Sequence, residues 1–240
     1  MVRFLAFSRR GAGRPLNGDR VVINEKLICN EGEVVGNTQD TLSTVICDGI
    51  GGSEGGDLAA RLCATGFQLI NVEDSSPQSI TVKLNDINKL VNEVRRKMPG
   101  VNNMATTCTG LLLYKKNYMV FSLGDSRAYR YLIKDRKLQL LTRDHVIQNR
   151  YGEEVLNRYI GDDAVVLPDI IRECGIDDSI FLLCSDGFYK EVSEEEMLEL
   201  LHNSRDFSEV ERGMRSLMQS HTFDDDVSVV IVSTGFGKER

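Results

Sequence analysis

The stretch TTCTGLLLYKKNYMVFSLGDSRAYRYLIKDRKLQLLT, residues 106 to 142, decides the class of fold. It divides into four runs rich in aliphatic, aromatic and β-branched residues: Thr106 to Tyr114, Tyr118 to Leu123, Arg127 to Ile133 and Leu138 to Thr142. Lysine, asparagine, glycine and aspartate fill the breaks between them. Runs of this length and composition read as strands, and connections this short predict antiparallel pairing as a meander.

Working outward, further strands are expected at Phe4 to Phe7, Val21 to Ile23 and Thr44 to Cys47, the last running into Asp48-Gly49-Ile50-Gly51-Gly52. Gly56 to Asn71 reads as an amphipathic helix on Leu58, Ala59, Leu62, Cys63 and Leu69. A second helix carries Leu84, Ile87, Leu90, Val91, Val94 and Met98, and Pro99-Gly100 supplies its stop. Downstream, Ile180 to Cys184 leads into Ser185-Asp186-Gly187, and Val227 to Ser233 forms a last strand. Two helices lie between these strands, one opened by a Ser193/Glu196 capping box and one over Phe207 to Ser220. Strands grouped with intervening helix pairs argue for layered antiparallel sheets covered by helices, and against a Rossmann-type β-α-β alternation.

A chain of 240 residues with 41% hydrophobic and 27% charged residues is ordinary for a globular protein. With no repeat or Pro/Ser-rich linker, one domain over residues 1–240 is expected. The net charge of -7 disfavours nucleic acid and anionic membrane as partners. Arg95, Arg96 and Lys97 form the sole basic triplet, which fits a helix C-terminus. No apolar stretch is long enough to span a bilayer and the N-terminus lacks a signal-peptide pattern, so a cytoplasmic location is expected. The six cysteines contain no C-x-x-C pair and read as small buried apolar residues.

Four acidic turns stand at the ends of apolar runs: Asp48 after TVIC, Gly124-Asp125 after MVFSL, Ser185-Asp186 after IFLLC, and Asp225-Asp226 before VSVVIV. Taken singly, Asp-Gly is a common turn dipeptide. Gathered at one sheet edge, these carboxylates would repel one another unless a cation neutralised them. Oxygen ligation suits magnesium or manganese, and two such ions about 4 Å apart could hold a bridging water in line with a phosphorus atom.

At this point the motifs resemble those of the metal-dependent, or type 2C, protein phosphatases, and in particular their compact bacterial members. The resemblance runs from Arg14 to Val232. It is carried by Arg14-Pro-Leu-Asn17-Gly18-Asp19, Asp48-Gly49-Ile50-Gly51-Gly52, Thr106-Thr107-Cys108-Thr109-Gly110, Gly124-Asp125-Ser126-Arg127, Leu141-Thr142-Arg143-Asp144-His145, Ser185-Asp186-Gly187 and Asp225-Asp226-Val227-Ser228. It implies an α+β fold, a four-layer α-β-β-α sandwich of two packed, mainly antiparallel sheets flanked by helix pairs. It implies hydrolysis of phosphoserine and phosphothreonine on proteins by a water or hydroxide bridging two Mn2+ or Mg2+ ions. Phosphorylated proteins would be the substrates, an opposing serine/threonine kinase a partner, and the chain a monomer.

By the same resemblance Asp48 would bridge both ions, the Gly49 carbonyl would serve one, and Asp186 and Asp225 the other. Asp19 would act through coordinated water, Asp125 at a weaker third ion, and Arg14 on the phosphate, for which a guanidinium fork is suited. For Asp125 a turn role with pairing to Arg127 is an alternative. The chain departs from the family at Gly18, where Glu is usual, at Asp226, where Asn is usual, mildly at Ser228, where Thr is usual, and at Ile50, where some relatives carry a histidine. The leaving oxygen must then take its proton elsewhere: metal-bound water is the first candidate, with His145 and His221 as alternatives against a structural role for each. The room for a flap between His145 and Tyr159 is small. Two other classes compete: a pseudophosphatase that binds a phosphoprotein or kinase, and a two-metal nuclease or phosphodiesterase, which the acidic charge disfavours.

Overall fold

The structure, a computed structural model, describes residues 1–50, 54–98, 101, 104–176 and 178–235. The Gly51-Gly52 pair and the expected Pro99-Gly100 helix stop lie outside the described residues.

The strands fall into two six-stranded antiparallel sheets. In chain order they are β1 (Val2–Arg9), β2 (Arg20–Ile23), β3 (Lys26–Ile28), β4 (Gly32–Thr38) and β5 (Thr41–Cys47), then β6 (Cys108–Tyr114), β7 (Asn117–Leu123), β8 (Arg127–Leu132), β9 (Lys137–Leu140), β10 (Val146–Gln148), β11 (Glu154–Leu156), β12 (Asp169–Cys174), β13 (Ser179–Cys184) and β14 (Val227–Ser233). One sheet runs β4-β1-β14-β13-β8-β9 and the other β12-β7-β6-β5-β2-β3, while β10 and β11 form a separate hairpin. The helices are α1 (Glu54–Phe67), α2 (Pro77–Lys97), α3 (Asp186–Tyr189), α4 (Glu194–Asn203) and α5 (Phe207–Ser220).

Three apolar layers hold these elements together. Phe4, Ile46, Leu111, Phe181, Leu183 and Val232 fill the space between the two sheets. Ala60, Cys63, Phe67, Leu84 and Val91 of α1 and α2 pack on the β5 sheet. Met197, Leu201, Val210 and Met214 of α4 and α5 cover the β14 sheet against Leu5 and Ile231. The order is therefore helix pair, sheet, sheet, helix pair, as the α+β expectation required. Each fully buried aliphatic or aromatic side chain contributes roughly 1.5–3 kcal/mol to such layers. Among the described residues no helix is long and apolar enough to cross a membrane.

Caps delimit the helices. Ser193 and Glu196 form the expected box on α4, and Asp206 caps α5. A second box, Ser76 with Ser79, starts α2 with Pro77 in its first turn, earlier than the apolar stripe alone suggested. The first helix ends at Phe67, so Leu69 lies beyond it and is 84% exposed instead of joining the stripe.

The predicted meander is corrected at one joint. β6 pairs with β7 and β8 with β9, but β7 pairs with β12 and β8 with β13, so the chain leaves one sheet and enters the other between Leu123 and Arg127. Gly124 makes the corner at φ +107, and a Cβ there would sit 2.6 Å from Thr107 Cγ2. The corner delivers Asp125 to the junction of the sheets. Antiparallel register then gathers the other acidic turns: β5 ends where β2 begins (Cys47 opposite Arg20), and β13 ends where β14 and β8 begin (Cys184 opposite Val229 and Arg127).

Candidate active site

At that junction Arg14, Asp48, Gly49, Asp125, Asp186, Asp225 and Asp226 line a cleft of about 130 Å3, with Ile50 and Leu156 as its apolar wall. Every residue that the sequence reading assigned to ligation or phosphate binding lies on this cleft except Asp19, which is buried behind it. The carboxylates line the space without closing on a single point: among the described residues, no three of them bring ligand oxygens within 4.8 Å of one another.

Backbone contacts fix Asp48 in both directions. Its N–H donates to Thr107 Oγ1 at 3.0 Å, and its carbonyl accepts from the Thr106 hydroxyl and the Thr107 N–H, each at 2.8 Å. Thr107 Oγ1 also shares a 2.8 Å hydrogen bond with Ser126. Gly49 follows with its backbone pressed on α1, where a Cβ would lie 2.6 Å from the Gly56 carbonyl.

Behind Asp48 a ring of polar groups joins four strands. Ser185 Oγ donates to Asp19 Oδ2 at 2.8 Å and accepts from the Ser228 N–H at 2.9 Å; Ser228 Oγ meets Ser8 Oγ at 2.9 Å. Asn17 donates to Ser8 Oγ and accepts from the Asp19 N–H, each at 2.9 Å, which closes the ring. Asp19 Oδ1 is buried and has no partner. Ser185 and Ser228 stand in the quoted motifs, but sequence patterning could not show that they join Ser8 and Asp19 in one ring.

Electrostatics show what this arrangement lacks. Burial pushes the Asp19 carboxyl up to about 7, against the hydrogen bonds from Ser185 and Ser228. Burial, then the charges of Asp19, Asp186 and Asp125, hold Asp48 well above the carboxylate range. Burial and Asp186 push Asp125 up to about 6. Oxygen donors that repel one another, with one buried oxygen orphaned, fit a hard divalent cation and not a soft one. Two side-chain cations already approach the set: Arg14 Nη2 lies 2.5 Å from Asp225 Oδ1, and Lys190 Nζ lies 2.5 Å from Asp186 Oδ2. Lys190 was missed, although its i,i+4 spacing from Asp186 was a usable signal.

Two of the departures noted in the sequence, Gly18 and Asp226, meet in the structure. Asp226 accepts the Gly11 N–H on Oδ1 at 2.9 Å and the Gly18 N–H on Oδ2 at 2.7 Å, pinning both ends of the loop that carries Arg14. A Cβ on Gly18 would be 3.4 Å from Asp226 Oδ2, so a Glu at 18 would start beside this carboxylate. Asp226→Ala leaves both backbone donors without this acceptor; we expect a loss of about 1–3 kcal/mol and a severalfold rise in KM for a phosphorylated substrate. Denaturant midpoints and steady-state kinetics check it; an unchanged KM removes the loop from substrate binding.

Other expectations are corrected. Arg127 does not pair with Asp125; its Nε and Nη2 grip Asp144 at 3.1 and 2.7 Å, and its guanidinium lies 3.8 Å from the centre of the Tyr189 ring. The two candidate histidines are both structural. His145 is buried, its Nδ1 accepts the Gly124 N–H at 3.1 Å, and its Nε2 lies 3.2 Å from Asp169 Oδ2. His221 lies against Leu217 O and Glu196, and neither ring lines the cleft. The β10–β11 hairpin fills the segment between His145 and Tyr159, where little room for a flap was expected, and its Leu156 reaches the cleft wall.

No protein-family profile matches the chain. Among curated proteins it is 26% identical over 226 residues to the serine/threonine phosphatase stp of Listeria monocytogenes, covering 85% of this chain and 88% of that one. It is 26% identical over 221 residues to the serine/threonine protein phosphatase PstP of Mycobacterium tuberculosis, covering 84% of this chain and 39% of PstP. Among solved structures, the serine/threonine phosphatase Stp1 of Staphylococcus aureus superposes with a TM-score of 0.76 at 22% identity, over 97% of this chain and 95% of that one. PppA of Pseudomonas aeruginosa does so with a TM-score of 0.75 at 22% identity, over 97% of each.

Proposed function

We infer that the chain belongs to the metal-dependent, type 2C class of serine/threonine protein phosphatases, and from that premise its cleft hydrolyses phosphoserine and phosphothreonine on proteins. The observation that carries this reading is the convergence of Asp48, Asp125, Asp186 and Asp225 with Arg14 in one cleft.

Asp48, Asp186, Asp225 and the Gly49 carbonyl would hold two Mn2+ or Mg2+ ions, with Asp19 behind them acting through water and Asp125 at a weaker third position. When bound, such ions supply positive charge and an acidified water for in-line displacement at phosphorus. The remaining work falls to the chain. Arg14 orients the phosphoryl group by a two-pronged grip on its oxygens. Thr107 and the serine ring hold Asp48 and Asp19 in place. The water oxygen bonds to phosphorus, the bond from phosphorus to the seryl or threonyl oxygen breaks, and the leaving oxygen takes a proton from water. Among the described residues no histidine lines the cleft to donate it. No C-x-x-x-x-x-R motif is present, so hydrolysis proceeds in one displacement without a phosphocysteine.

Residues 1–240 act as one catalytic unit, as a monomer in the cytoplasm, opposing a serine/threonine kinase. The test is release of inorganic phosphate from phosphoserine and phosphothreonine peptides with manganese or magnesium, beside a chelator control and a phosphotyrosine peptide. Turnover that depends on the divalent ion is expected. Binding of the peptides without release would instead identify a pseudophosphatase.

Arg14→Ala is expected to raise KM for a phosphopeptide about tenfold or more, in line with the worth of a charge-assisted bidentate contact, and Arg14→Lys to restore only part of it. An unchanged KM in steady-state assays would take Arg14 out of phosphate binding.

A further inference from the structure

Three cysteines that catalysis leaves unused meet at one point. Cys47 ends β5, Cys108 opens β6 and Cys63 stands on α1, and their Sγ atoms all lie within 4.8 Å of one another. No other trio of Cys, His, Asp or Glu ligand atoms is gathered so tightly among the described residues. All three are 0% exposed. Strand register explains the pair: Ile46 faces Thr109, so Cys47 faces Cys108. The Thr107 N–H to Asp48 carbonyl bond beside them makes Cys47 and Cys108 a non-hydrogen-bonded pair, the position at which side chains stand closest. α1 lowers Cys63 onto that pair.

We propose that Cys47, Cys63 and Cys108 bind one soft, thiophilic cation of the monovalent-copper class through three sulfurs. An ion about 2.3 Å from each of three sulfurs places them roughly 4 Å apart, inside the span observed. Structural zinc takes four ligands and magnesium six, yet these thiols share their layer with Ala59, Ala60, Phe67 and Leu123, which offer no further donor. Sulfur donors in low coordination select copper(I). Each thiol that ligates as thiolate gives its proton to solvent. Lys83 helps offset the negative charge: its Nζ donates to Gly66 O at 2.7 Å, lies 5.6 Å from the centre of the Phe67 ring, and its charge acts on Cys63.

The site is coupled to the cleft by position. Cys47 directly precedes Asp48, and Cys108 follows Thr107, whose hydroxyl holds the Asp48 N–H. Drawing the sulfurs together shifts the backbone that carries Asp48. Loading therefore lowers phosphatase activity, a consequence that rests on the phosphatase reading, whereas binding itself does not.

The experiment uses the full chain with Cys29→Ser and Cys174→Ser, because Cys174 is exposed and Cys29 half-buried and both would capture copper adventitiously. The reduced, metal-free protein is equilibrated anaerobically with copper(I) against a chromophoric copper(I) chelator, long enough for α1 to open locally. Withdrawal of one equivalent is expected, with three sulfur neighbours in copper X-ray absorption. Cys63→Ala, on a helix face already built from alanine, is expected to weaken binding roughly a hundredfold or more, since losing a ligand exceeds the loss of a supporting contact. Cys184→Ala, in the other helix-covered layer, leaves the affinity unchanged. No withdrawal of copper, equal affinity in Cys63→Ala, equal weakening by Cys184→Ala, or preferential zinc uptake overturns the proposal. Should Cys63→Ala fail to fold, the absorption spectrum of the parent decides, with oxygen or nitrogen neighbours counting against the site.

Discussion

Asp48→Asn is expected to cut manganese-supported phosphate release by about a thousandfold or more, and at the same time to raise the melting temperature of the metal-free protein. The two signs have one cause. Asp48 is half-buried at the cleft wall beside Asp19, Asp186 and Asp125, whose charges oppose its own and outweigh the attraction of Arg14. An amide of the same shape removes that repulsion, and the backbone bonds to Thr106 and Thr107 do not depend on the side chain. On the proposed reading, catalysis would lose a charged ligand that the amide cannot replace. Asp186→Asn separates the effects: it removes activity to a similar degree but replaces the charged partner of Lys190 Nζ by a neutral acceptor, so little thermal gain is expected. Calorimetry and phosphate release on the two proteins, with and without manganese, check both signs. A drop in stability together with activity in Asp48→Asn would mean that Asp48 is a structural turn residue.

Much of this site was legible in the chain because its parts are strand ends. An acidic turn abutting an apolar run is visible one residue at a time: Asp48, Asp125 and Asp186 follow such a run and Asp225 precedes one. What patterning cannot supply is partner choice. The break between Leu123 and Arg127 has the length of a hairpin, yet the conformation of Gly124 turns it into a passage between sheets. Strands such as β4 and β12 were missed because they are half exposed, so their composition carries little apolar signal. Arg127 was tied to the acid two residues away, while its fork closes on Asp144, brought near by the β8–β9 turn. The serine ring and the cysteine trio were beyond reach for a similar reason: their members come from separate elements and acquire meaning only through contact.

The metal-free protein is expected to become less stable as pH rises from about 5 to 7.5, and divalent ions are expected to abolish that loss. A carboxyl whose folded pKa lies above its unfolded value contributes stability that is full below the unfolded value and lost as pH climbs through the folded one. Asp19 spans the window from 3.8 unfolded to about 7 folded, and Asp125 from 3.8 to about 6, so both lose stability across it. Asp48 moves in the same direction. Two groups oppose them: burial lowers the His145 pKa from 6.5, and hydrogen bonds with Cys108 and Cys47 lower that of Cys63 to about 5, so the contribution of each falls as pH drops, and the three carboxyls outweigh the two. The loss amounts to a few kcal/mol, which at about 2–4 °C per kcal/mol is a shift of several degrees in melting temperature. Cations at the cleft favour the ionised carboxylates, so the stabilisation by manganese is larger at pH 7.5 than at pH 5.5. Melting curves at the two pH values, with chelator and with saturating manganese, decide the matter. A metal-free protein that gains stability toward pH 7.5, or a manganese effect independent of pH, would show that the buried acids are not the groups the ions neutralise.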